Sequence, residues 1–518
     1  MAWKGLEALL LFLVLISCQT WSIQSAPLSS YLVSSFTPPD SESTLPFNHI
    51  AINNITGDVY IGARERLYQL DSKLNLKHTV DTGLCPSPND ENVNDNKLLA
   101  VVITPKNYLL ITCGGCDGYC ESRSLTNISH DVIRYDLANS QSVITTDDVP
   151  TVGAVVVGAD FVDNAEGTPN EKFYLFTGVS GGGISFIAKH NLVNLRIGQN
   201  IPRGFVKSEG LFKHLVVYKD YLYYFISREN NVYLGRLCRN SLDINFASYT
   251  ETELQCGSYN MIQSAHIGPA GSQLADSLNI DSTDALLYTV FSNESSTFLC
   301  VYKMSDVQQS FHVAVLGCIQ GTSTGTTNSY LDDSRCRESP LSFTPPDSVQ
   351  CTAFYLEDGS PPFIHRYASG TVPLSTSPII TIPDVIPTSI VTTIERHHTV
   401  AFIGDTQGYL HKLNIVNGSF GYVYEDVFVG GGSVLQEIFL DESKERLTLA
   451  TSSDQGSQVL TLELVNCSQY QSCVECIGED GGNDGDPYCG WCTLEASVYS
   501  SQMSSLIIDC LTKRQNKK

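Results

Sequence analysis

The predicted fold rests on one stretch: FNHIAI at residues 47–52, a turn at 53–57, VYIGA at 59–63 and RLYQL at 66–70. Each apolar run is short and is followed by Asn, Gly or charged residues. Short runs of apolar and β-branched residues between such positions are typical of β-strands joined by tight turns. The stretch is therefore interpreted as one unit of three strands.

The same unit recurs along most of the chain. Six further units lie at residues 97–124, 159–188, 212–237, 277–304, 389–415 and 434–465. Seven units of three visible strands, each with a fainter fourth strand in its connector, predict an all-β fold, namely a seven-bladed β-propeller.

The step between the fifth and the sixth unit is much longer than most and holds a Gly/Ser/Thr-rich stretch at 321–329. Residues 305–388 are interpreted as an insertion on the side of the propeller. An eighth blade is the alternative, although alternating apolar residues are sparse there. Because a closed ring leaves no sheet edge exposed, we expect the strand at 30–36, with YLVSSF, to complete the last blade.

The N-terminus indicates export. Lys4 precedes a nearly continuous apolar run at 6–16, and small residues follow before residue 27, which is the pattern of a cleaved secretory leader at 1–26. A membrane anchor is the alternative, but the run is shorter than the roughly 20 residues that span a bilayer. The mature chain is therefore expected to be secreted, or to stand at the cell surface if it is part of a longer membrane protein.

Cysteine usage fits an oxidising compartment. Removing the leader, with Cys18, leaves sixteen of the seventeen cysteines, an even number. After residue 465 the repeat ends, and six cysteines fall within 467–510. We divide the chain into a leader at 1–26, a propeller domain at 27–465 and a small domain at 466–518 with a basic tail. The small domain is too short to be held by its core alone, so disulfides are expected to stabilise it.

Five Asn-x-Ser/Thr sequences are candidates for N-glycosylation in an exported chain. They begin at Asn54, Asn127, Asn293, Asn417 and Asn466.

Two motifs imitate metal sites. The spacing of Cys473 with Cys476 and of Cys489 with Cys492 is that of a zinc ribbon, but behind a leader the same cysteines are better interpreted as disulfides. The acidic loop at 479–486 lacks the ligand spacing of a calcium loop. The sequence therefore predicts no metal and no other cofactor.

The remaining motifs do not predict catalysis. Glycine runs at 178–183 and 430–432 lack the Lys-Ser/Thr of a phosphate loop and are interpreted as tight turns. His397 and His398 are interpreted as exposed loop histidines. No Ser/His/Asp set or carboxylate pair stands out, so we predict that the chain is not an enzyme. A formal charge of −24, without a basic stripe, also argues against nucleic acid as a partner.

At the level of motifs, the chain resembles the plexin family over about residues 45–510. Three segments, in this order, are similar to the opening blades of the plexin sema domain: FNHIAINNITGDVYIGARERLYQLDSKL, NVNDNKLL and LLITCGGCDGYC. The cysteines at 467–476, followed by DPYCGWC at 486–492, are similar to the plexin-semaphorin-integrin (PSI) module. The resemblance implies a sema domain with a side insertion, followed by a disulfide-rich, cystine-knot-like PSI domain.

The resemblance also implies disulfide pairs. It pairs Cys113 with Cys120, Cys238 with Cys351, Cys256 with Cys300, Cys318 with Cys336, Cys467 with Cys489, and Cys473 with Cys510. At the position where the plexin family has an additional cysteine pair, this chain has only Cys85. We pair Cys85 with Cys116 in a disulfide. The small domain has six cysteines, whereas the plexin module commonly has eight. The remaining disulfide then pairs Cys476 with Cys492.

The function implied by the resemblance is semaphorin binding by a receptor ectodomain or a secreted decoy, as in guidance and adhesion signalling. The contact surface is expected on the side of blades 3 and 4, around residues 159–240. A homodimer or a co-receptor contact through the sema domain is a further expectation. The alternatives are a semaphorin-like ligand or another sema-domain receptor, and a propeller glycosidase with paired carboxylates in the central channel. Plexins continue into further modules, a membrane span and a cytoplasmic GTPase-activating region, which this chain does not include.

Overall fold

The computed structural model describes a large part of the chain. The described residues are 27–39, 45–82, 94–103, 108–114, 118, 120–134, 144, 151–158, 172–180, 185–191, 210–239, 248–293, 295–319, 368–370, 372–454, 456–470, 476, 485–492 and 497–500. For a few of them, within strands and one helix, only the backbone is described. The predicted leader at 1–26 lies outside these residues.

The first strand, β1, is Leu32–Phe36 and follows a short 3₁₀ helix at Leu28–Ser30. The next strands form three antiparallel sheets, each beginning with its innermost strand. Blade 1 consists of β2 (Phe47–Ile52), β3 (Val59–Ala63), β4 (Arg66–Leu70) and β5 (Leu76–Asp81). Blade 2 consists of β6 (Leu98–Ile103), β7 (Tyr108–Cys113), β8 (Cys120–Ser124) and β9 (Ile133–Arg134). Blade 3 consists of β10 (Thr151–Gly158), β11 (Lys172–Val179) and β12 (Phe186–Asn191).

The insertion lies between two strands of blade 5 and pairs with the outer strand of blade 4. Blade 4 consists of β13 (Leu211–Tyr218), β14 (Tyr221–Arg228), β15 (Asn231–Cys238) and β16 (Thr250–Cys256). Blade 5 contains β17 (Met261–Pro269), helix α1 (Ser272–Leu278), β18 (Ala285–Ser292) and β19 (Ser296–Lys303). The insertion contains α2 (Met304–Ile319), β20 (Ala368–Ser369) and β21 (Leu374–Thr376), and β22 (Ile380–Pro383) completes blade 5.

The remaining strands form blades 6 and 7 and a small hairpin. Blade 6 consists of β23 (Pro387–Glu395), β24 (His398–Asp405), β25 (Tyr409–Asn417) and β26 (Phe420–Phe428). Blade 7 consists of β27 (Ser433–Val434), β28 (Phe439–Leu440), β29 (Arg446–Ser452) and β30 (Gln458–Glu463), with β1 as its outer strand. A 3₁₀ helix at Cys467–Gln469 follows, and β31 (Cys489–Cys492) pairs with β32 (Ser497–Ser500).

The innermost strands of blades 1 to 7 contact one another in order, and β2 of blade 1 contacts β29 of blade 7 where the ring closes. The described core is divided accordingly, because each of seven apolar clusters lies between two neighbouring blades. Between blades 5 and 6, for example, Tyr288 packs in one cluster with Ala401 and Leu413. The predicted all-β, seven-bladed propeller is confirmed.

The ring is closed by the N-terminal strand, as the sequence predicts. β1 pairs antiparallel with β30, with Leu32 opposite Leu462 and Phe36 opposite Val459. The Phe36 ring is buried, and its centre lies 5.5 Å from that of Tyr68 in blade 1. The last blade is therefore assembled from both ends of the propeller domain.

Two of the predicted units begin in the wrong place. The first strand of blade 3 is Thr151–Gly158 and precedes the predicted unit at 159–188. The first strand of blade 5 is Met261–Pro269, and the predicted start at 277 lies in α1. The polar side chains of Gln263 and His266 interrupt the apolar pattern of that inner strand, because they are paired with polar groups, namely Ser292 on β18 and Thr392 on β23.

The insertion extends blade 4. β20 and β21 pair in parallel with β16, the outer strand of that blade, so the described insertion strands form no separate eighth sheet. The chain returns to the propeller earlier than predicted, because β22 already belongs to blade 5 and β23 to blade 6. Among the described residues, no helix is long and apolar enough to cross a membrane.

Candidate functional site on blades 3 and 4

The centre of the ring is partly filled. Inner strands of blades 1, 2, 3, 4 and 7 line a cavity of about 350 Å³. The Gln436 amide reaches from blade 7 and donates to the main-chain oxygens of Lys213 on blade 4 and Gln263 on blade 5. Glu437 Oε1 lies 3.3 Å from His49 Nε2 on blade 1. Gln436 thus connects blade 7 to blades 4 and 5 across the ring, and Glu437 connects it to the neighbouring blade 1.

The cavity does not support the glycosidase alternative. Glu437 is the one carboxylate in its described wall, whereas glycoside hydrolysis uses two. Burial lowers the pKa of His214 and of His266 to about 4, so both imidazoles are neutral at pH 7. The described wall therefore lacks the carboxylate pair that this alternative requires.

The hairpin between β13 and β14 carries an exposed cation at its tip. Lys219 has a left-handed φ of 52°, and its ammonium lies 5.2 Å from the centre of the Tyr218 ring. Arg239, at the end of β15, donates from its guanidinium to the Lys219 carbonyl (3.0 Å) and from its main-chain N–H to the Asp220 carbonyl (2.9 Å). The tip is thus held in one conformation by the strand beside it.

A buried arginine joins this hairpin to the insertion. The Arg236 guanidinium lies 4.4 Å from the centre of the Tyr221 ring and 4.5 Å from that of Phe311 on α2. Burial lowers the pKa of Arg236, while the neighbouring Tyr221 and Tyr223 oppose the shift. Stacking of a guanidinium between two rings favours a fixed arrangement. Blade 4 and α2 therefore present one continuous surface.

Blade 3 adds a second cation beside aromatic rings. The Lys189 ammonium on β12 lies 4.1 Å from the centre of the Tyr174 ring and 5.5 Å from that of Phe176 on β11. Phe176 packs in the apolar cluster between blades 3 and 4, and Tyr174 lies against its edge. The two blades thus carry half-buried or exposed lysines over aromatic side chains on a rigid sheet scaffold.

This arrangement suits recognition of a protein surface. Aromatic and Arg side chains are enriched among residues that dominate binding energy at interfaces. Lys219 is an exposed cation on a chain with a net charge of −24, and such a cation favours acidic partners and faster association. Within the described residues, no group of three His, Cys, Asp or Glu side chains is placed to hold a metal ion.

Three of the implied cysteine pairs are present as disulfides. They are Cys113–Cys120 in blade 2, Cys256–Cys300 between blades 4 and 5, and Cys467–Cys489 in the cysteine-rich segment. Cys238 is also disulfide-bonded, and Cys476 is buried. Six other predicted positions lie outside the described residues: Cys85, Cys116, Cys336, Cys351, Cys473 and Cys510. For Cys318 and Cys492 only the backbone is described. Their pairings remain predictions.

The candidate glycosylation sites lie in turns or at the ends of strands. Asn54 is exposed in the first turn of blade 1. In the other four, the Asn Oδ1 accepts a hydrogen bond from the Ser two positions later, as at Asn417 with Ser419 (2.9 Å) and at Asn466 with Ser468 (2.7 Å). All five amides are at least partly exposed. Attachment of glycans remains a prediction.

The other motifs lie only partly in turns. Gly178 lies within β11, so the interpretation of its glycine run as a tight turn is wrong at that residue. Gly430 has a φ of 149° in the connection to blade 7, which favours glycine. His397 is exposed, but His398 is half-buried at the start of β24, where burial lowers its pKa. Of the acidic loop at 479–486, only residues 485 and 486 are described, and Asp486 is buried.

The resemblance to plexins predicts a contact surface around residues 159–240 and names no individual contacts. The Lys219 hairpin carried one signal, a cation between aromatic residues in YKDYLYY at 218–224. Arg236 and Phe311 come together only through the packing of α2 on blade 4, and no local pattern indicates that contact. Such residues are recognised only in three dimensions.

The comparisons with known proteins define the class of this chain. Residues 262–441 match the family model of the Sema domain. The extracellular region of plexin A4 superimposes with a TM-score of 0.70 at 22% identity, covering 92% of this chain and 50% of that one. Drosophila Semaphorin 2a superimposes with a TM-score of 0.62 at 15% identity, covering 93% of this chain and 82% of that one. The match to the Sema family model covers 180 of the 518 residues, and the superpositions show the propeller fold.

Its relatives by sequence are plexins. Plexin-B3 of Mus musculus is 27% identical over 540 residues, covering 95% of this chain and 25% of the relative. Plexin-A4 of Homo sapiens is 26% identical over 560 residues, covering 95% of this chain and 28% of the relative. The relationship to the plexin family that the motifs indicated is confirmed. The chain spans about a quarter of the length of these relatives.

Proposed function

We propose that the chain is an extracellular binding module that recognises a semaphorin through the surface of blades 3 and 4. Its similarity to plexins over most of its length supports this class of partner. The observation that carries the choice of surface is the Lys219 hairpin, where an exposed cation lies over the Tyr218 ring. The chain binds as a rigid scaffold and carries out no catalytic step in this role.

The surface binds by presenting fixed side chains. Arg239 holds the hairpin tip and Arg236 ties the hairpin to α2, so little side-chain and loop entropy is lost when a partner docks. Lys219 steers an acidic patch of the partner toward the aromatic residues beside it. Affinity then comes from a few anchors in the middle of the contact and not from its total area.

Binding to a set of purified semaphorin ectodomains tests the proposal. The variant Lys219→Glu reverses the charge at an exposed turn and leaves the blade core intact. We expect about tenfold weaker binding than the wild type for any semaphorin that binds, seen as slower association with a weaker salt dependence. Surface plasmon resonance at two salt concentrations gives both quantities.

Lys444→Glu is the matched control. Lys444 is exposed with a φ of 58°, close to the 52° of Lys219, and lies before β29 in blade 7, on another side of the ring. The Lys444→Glu variant should bind semaphorin as tightly as the wild type. Equal binding by both variants and the wild type would contradict the proposed surface. Failure of every semaphorin to bind the wild-type chain would contradict the proposed partner class.

A further inference from the structure

The cysteine-rich segment meets blade 6 at a buried polar cluster, here called the module seat. It consists of Lys412 on β25, Glu425 on β26, Tyr31 beside β1, and Tyr470 and Asp486 from the segment itself. Lys412, Glu425, Tyr31 and Asp486 are all less than 8% exposed. The seat therefore joins three parts of the chain that are distant in sequence.

Neutral donors satisfy both oxygens of the Asp486 carboxyl. The Tyr470 hydroxyl donates to Oδ2 (3.0 Å) and the Tyr488 main-chain N–H donates to Oδ1 (2.9 Å). The adjacent Gly485 carbonyl accepts from the Tyr422 hydroxyl of blade 6 (2.8 Å). Asp486 thus lies in the contact itself, and its protonation state acts on the docking of the segment.

The Lys412 ammonium in the seat is paired with the carboxylate of Glu425 and not with that of Asp486. Lys412 Nζ lies 2.9 Å from Glu425 Oε2 and 3.7 Å from the centre of the Tyr31 ring, and it donates to the Leu464 carbonyl (3.2 Å). Glu425 Oε1 accepts from the Tyr31 hydroxyl (2.5 Å). One cation therefore faces two buried carboxyls, and an ionised Asp486 leaves the seat with one uncompensated negative charge. Burial makes that charge costly.

The groups around the seat do not relieve this imbalance. Tyr424 of β26 and Tyr488 of the segment face it, and burial raises the pKa of both. Burial likewise raises the pKa of Tyr31 and of Tyr470, so all four phenols are neutral at physiological pH. Glu395 on β23 acts on Tyr488 and adds a further negative charge nearby. The Gln469 amide donates to Tyr31 (2.8 Å) and Glu425 (3.0 Å).

We propose that the module seat is a proton-dependent joint, in which a proton on the Asp486 carboxyl holds the cysteine-rich segment more firmly on blade 6. Burial, with the charge of Glu425 added, raises the pKa of Asp486 to about 6, although Lys412 opposes the shift. The ordinary value is 3.8, so the closed joint binds the proton more tightly than the open one. Closing is therefore favoured as the pH falls from about 7 to about 4.

Hydrogen exchange of the full chain, followed by mass spectrometry, tests the joint. Peptides covering 466–470 and 485–492 are compared between the wild type and Asp486→Asn at pH 7.5 and pH 5.5, with correction for intrinsic rates. In the wild type, the opening constant should fall about fourfold between these pH values, as linkage requires for a pKa of about 6. Asn is neutral at both, so the pH dependence should vanish in the variant.

Two further variants keep the test specific. Asp58→Asn alters another buried carboxylate, paired with Lys77 in blade 1, and should keep the wild-type pH dependence of the joint. Glu425→Gln removes the neighbouring negative charge and should reduce that dependence. The proposal is overturned if Asp486→Asn retains the wild-type pH dependence, or if protection in the wild type falls on acidification. These readouts do not depend on semaphorin binding.

Discussion

Arg228 and Glu251 form a two-pronged ion pair inside blade 4. Arg228 Nη1 and Nη2 lie 2.6 and 2.8 Å from the two carboxylate oxygens, and neither residue is exposed by more than 1%. The Tyr249 hydroxyl donates to the same carboxylate (2.7 Å). This network ties β14 to β16 across β15, at the end of β14 away from the Lys219 hairpin.

Removing one partner of this pair should destabilise the chain severely. Glu251→Gln leaves the Arg228 charge buried without its counter-charge, and we expect a loss of about 3–5 kcal/mol in the free energy of unfolding. Arg228→Met combined with Glu251→Leu should recover most of the loss because no charge is then buried. Glu253→Gln, on the same strand but half-buried, is the control and should change stability by less than about 1 kcal/mol. Denaturant unfolding measures all four proteins.

His411 lies between two carboxylates of blade 6. Its Nδ1 is 2.7 Å from Asp426 Oδ1 and its Nε2 is 3.2 Å from Asp405 Oδ2. Burial by itself lowers the pKa of His411, but the hydrogen bonds and charges of Asp405 and Asp426 outweigh burial and raise it to about 9. The imidazolium is therefore the form that stabilises the fold.

The stability of the wild type should fall in alkali for this reason. A raised imidazole pKa contributes stability that is fully present below the ordinary value of 6.5 and is lost as the pH rises through about 9. Relative to His411→Gln, the wild type should lose about 2–3 kcal/mol between pH 7 and pH 10. Urea unfolding of both proteins across this range measures the difference. A difference that stays constant would show that His411 is neutral in the fold.

The disulfide Cys256–Cys300 should contribute more to stability than Cys113–Cys120. The first spans 44 residues and ties blade 4 to blade 5, whereas the second spans 7 residues within blade 2. Loop-closure entropy predicts losses of about 4 and about 2 kcal/mol when each pair is replaced by serine. Thermal unfolding of the two double variants gives the order, and the reverse order would contradict an entropic origin.

Closure of the ring by β1 should depend on its apolar C-terminal end. Phe36→Ala removes a buried ring that contacts Tyr68 of blade 1, and about 3–5 kcal/mol of stability should be lost. Leu32→Ala is the control on the same strand, because Leu32 is 39% exposed, and it should cost less than about 1 kcal/mol. Equal losses in the two variants would mean that the position of the side chain along β1 does not matter.

Regular strand patterns made most blades predictable. VYIGA at 59–63 is buried along its whole length, and the strands around it lie where the alternation indicates. The pattern failed at the first strand of blade 5, where Gln263 donates to the Ser292 hydroxyl and His266 bonds to Thr392 of blade 6. Half-buried polar side chains that have polar partners interrupt the apolar alternation, so periodicity alone does not locate this strand.

The sequence by itself determined the number of blades, the closing strand and the relationship to plexins, because each depends on local patterns repeated or ordered along the chain. Three of the disulfide pairs that this relationship implied are present among the described residues. Only the tertiary structure decided which cations stack on which rings. It also decided that one ammonium and two carboxyls are buried together in the module seat. Lys412, Glu425 and Asp486 lie within 75 residues of one another, but Tyr31 is almost 400 residues away. Burial and proximity arise only when the ring has closed, and these set the charges on which the proposed contacts depend.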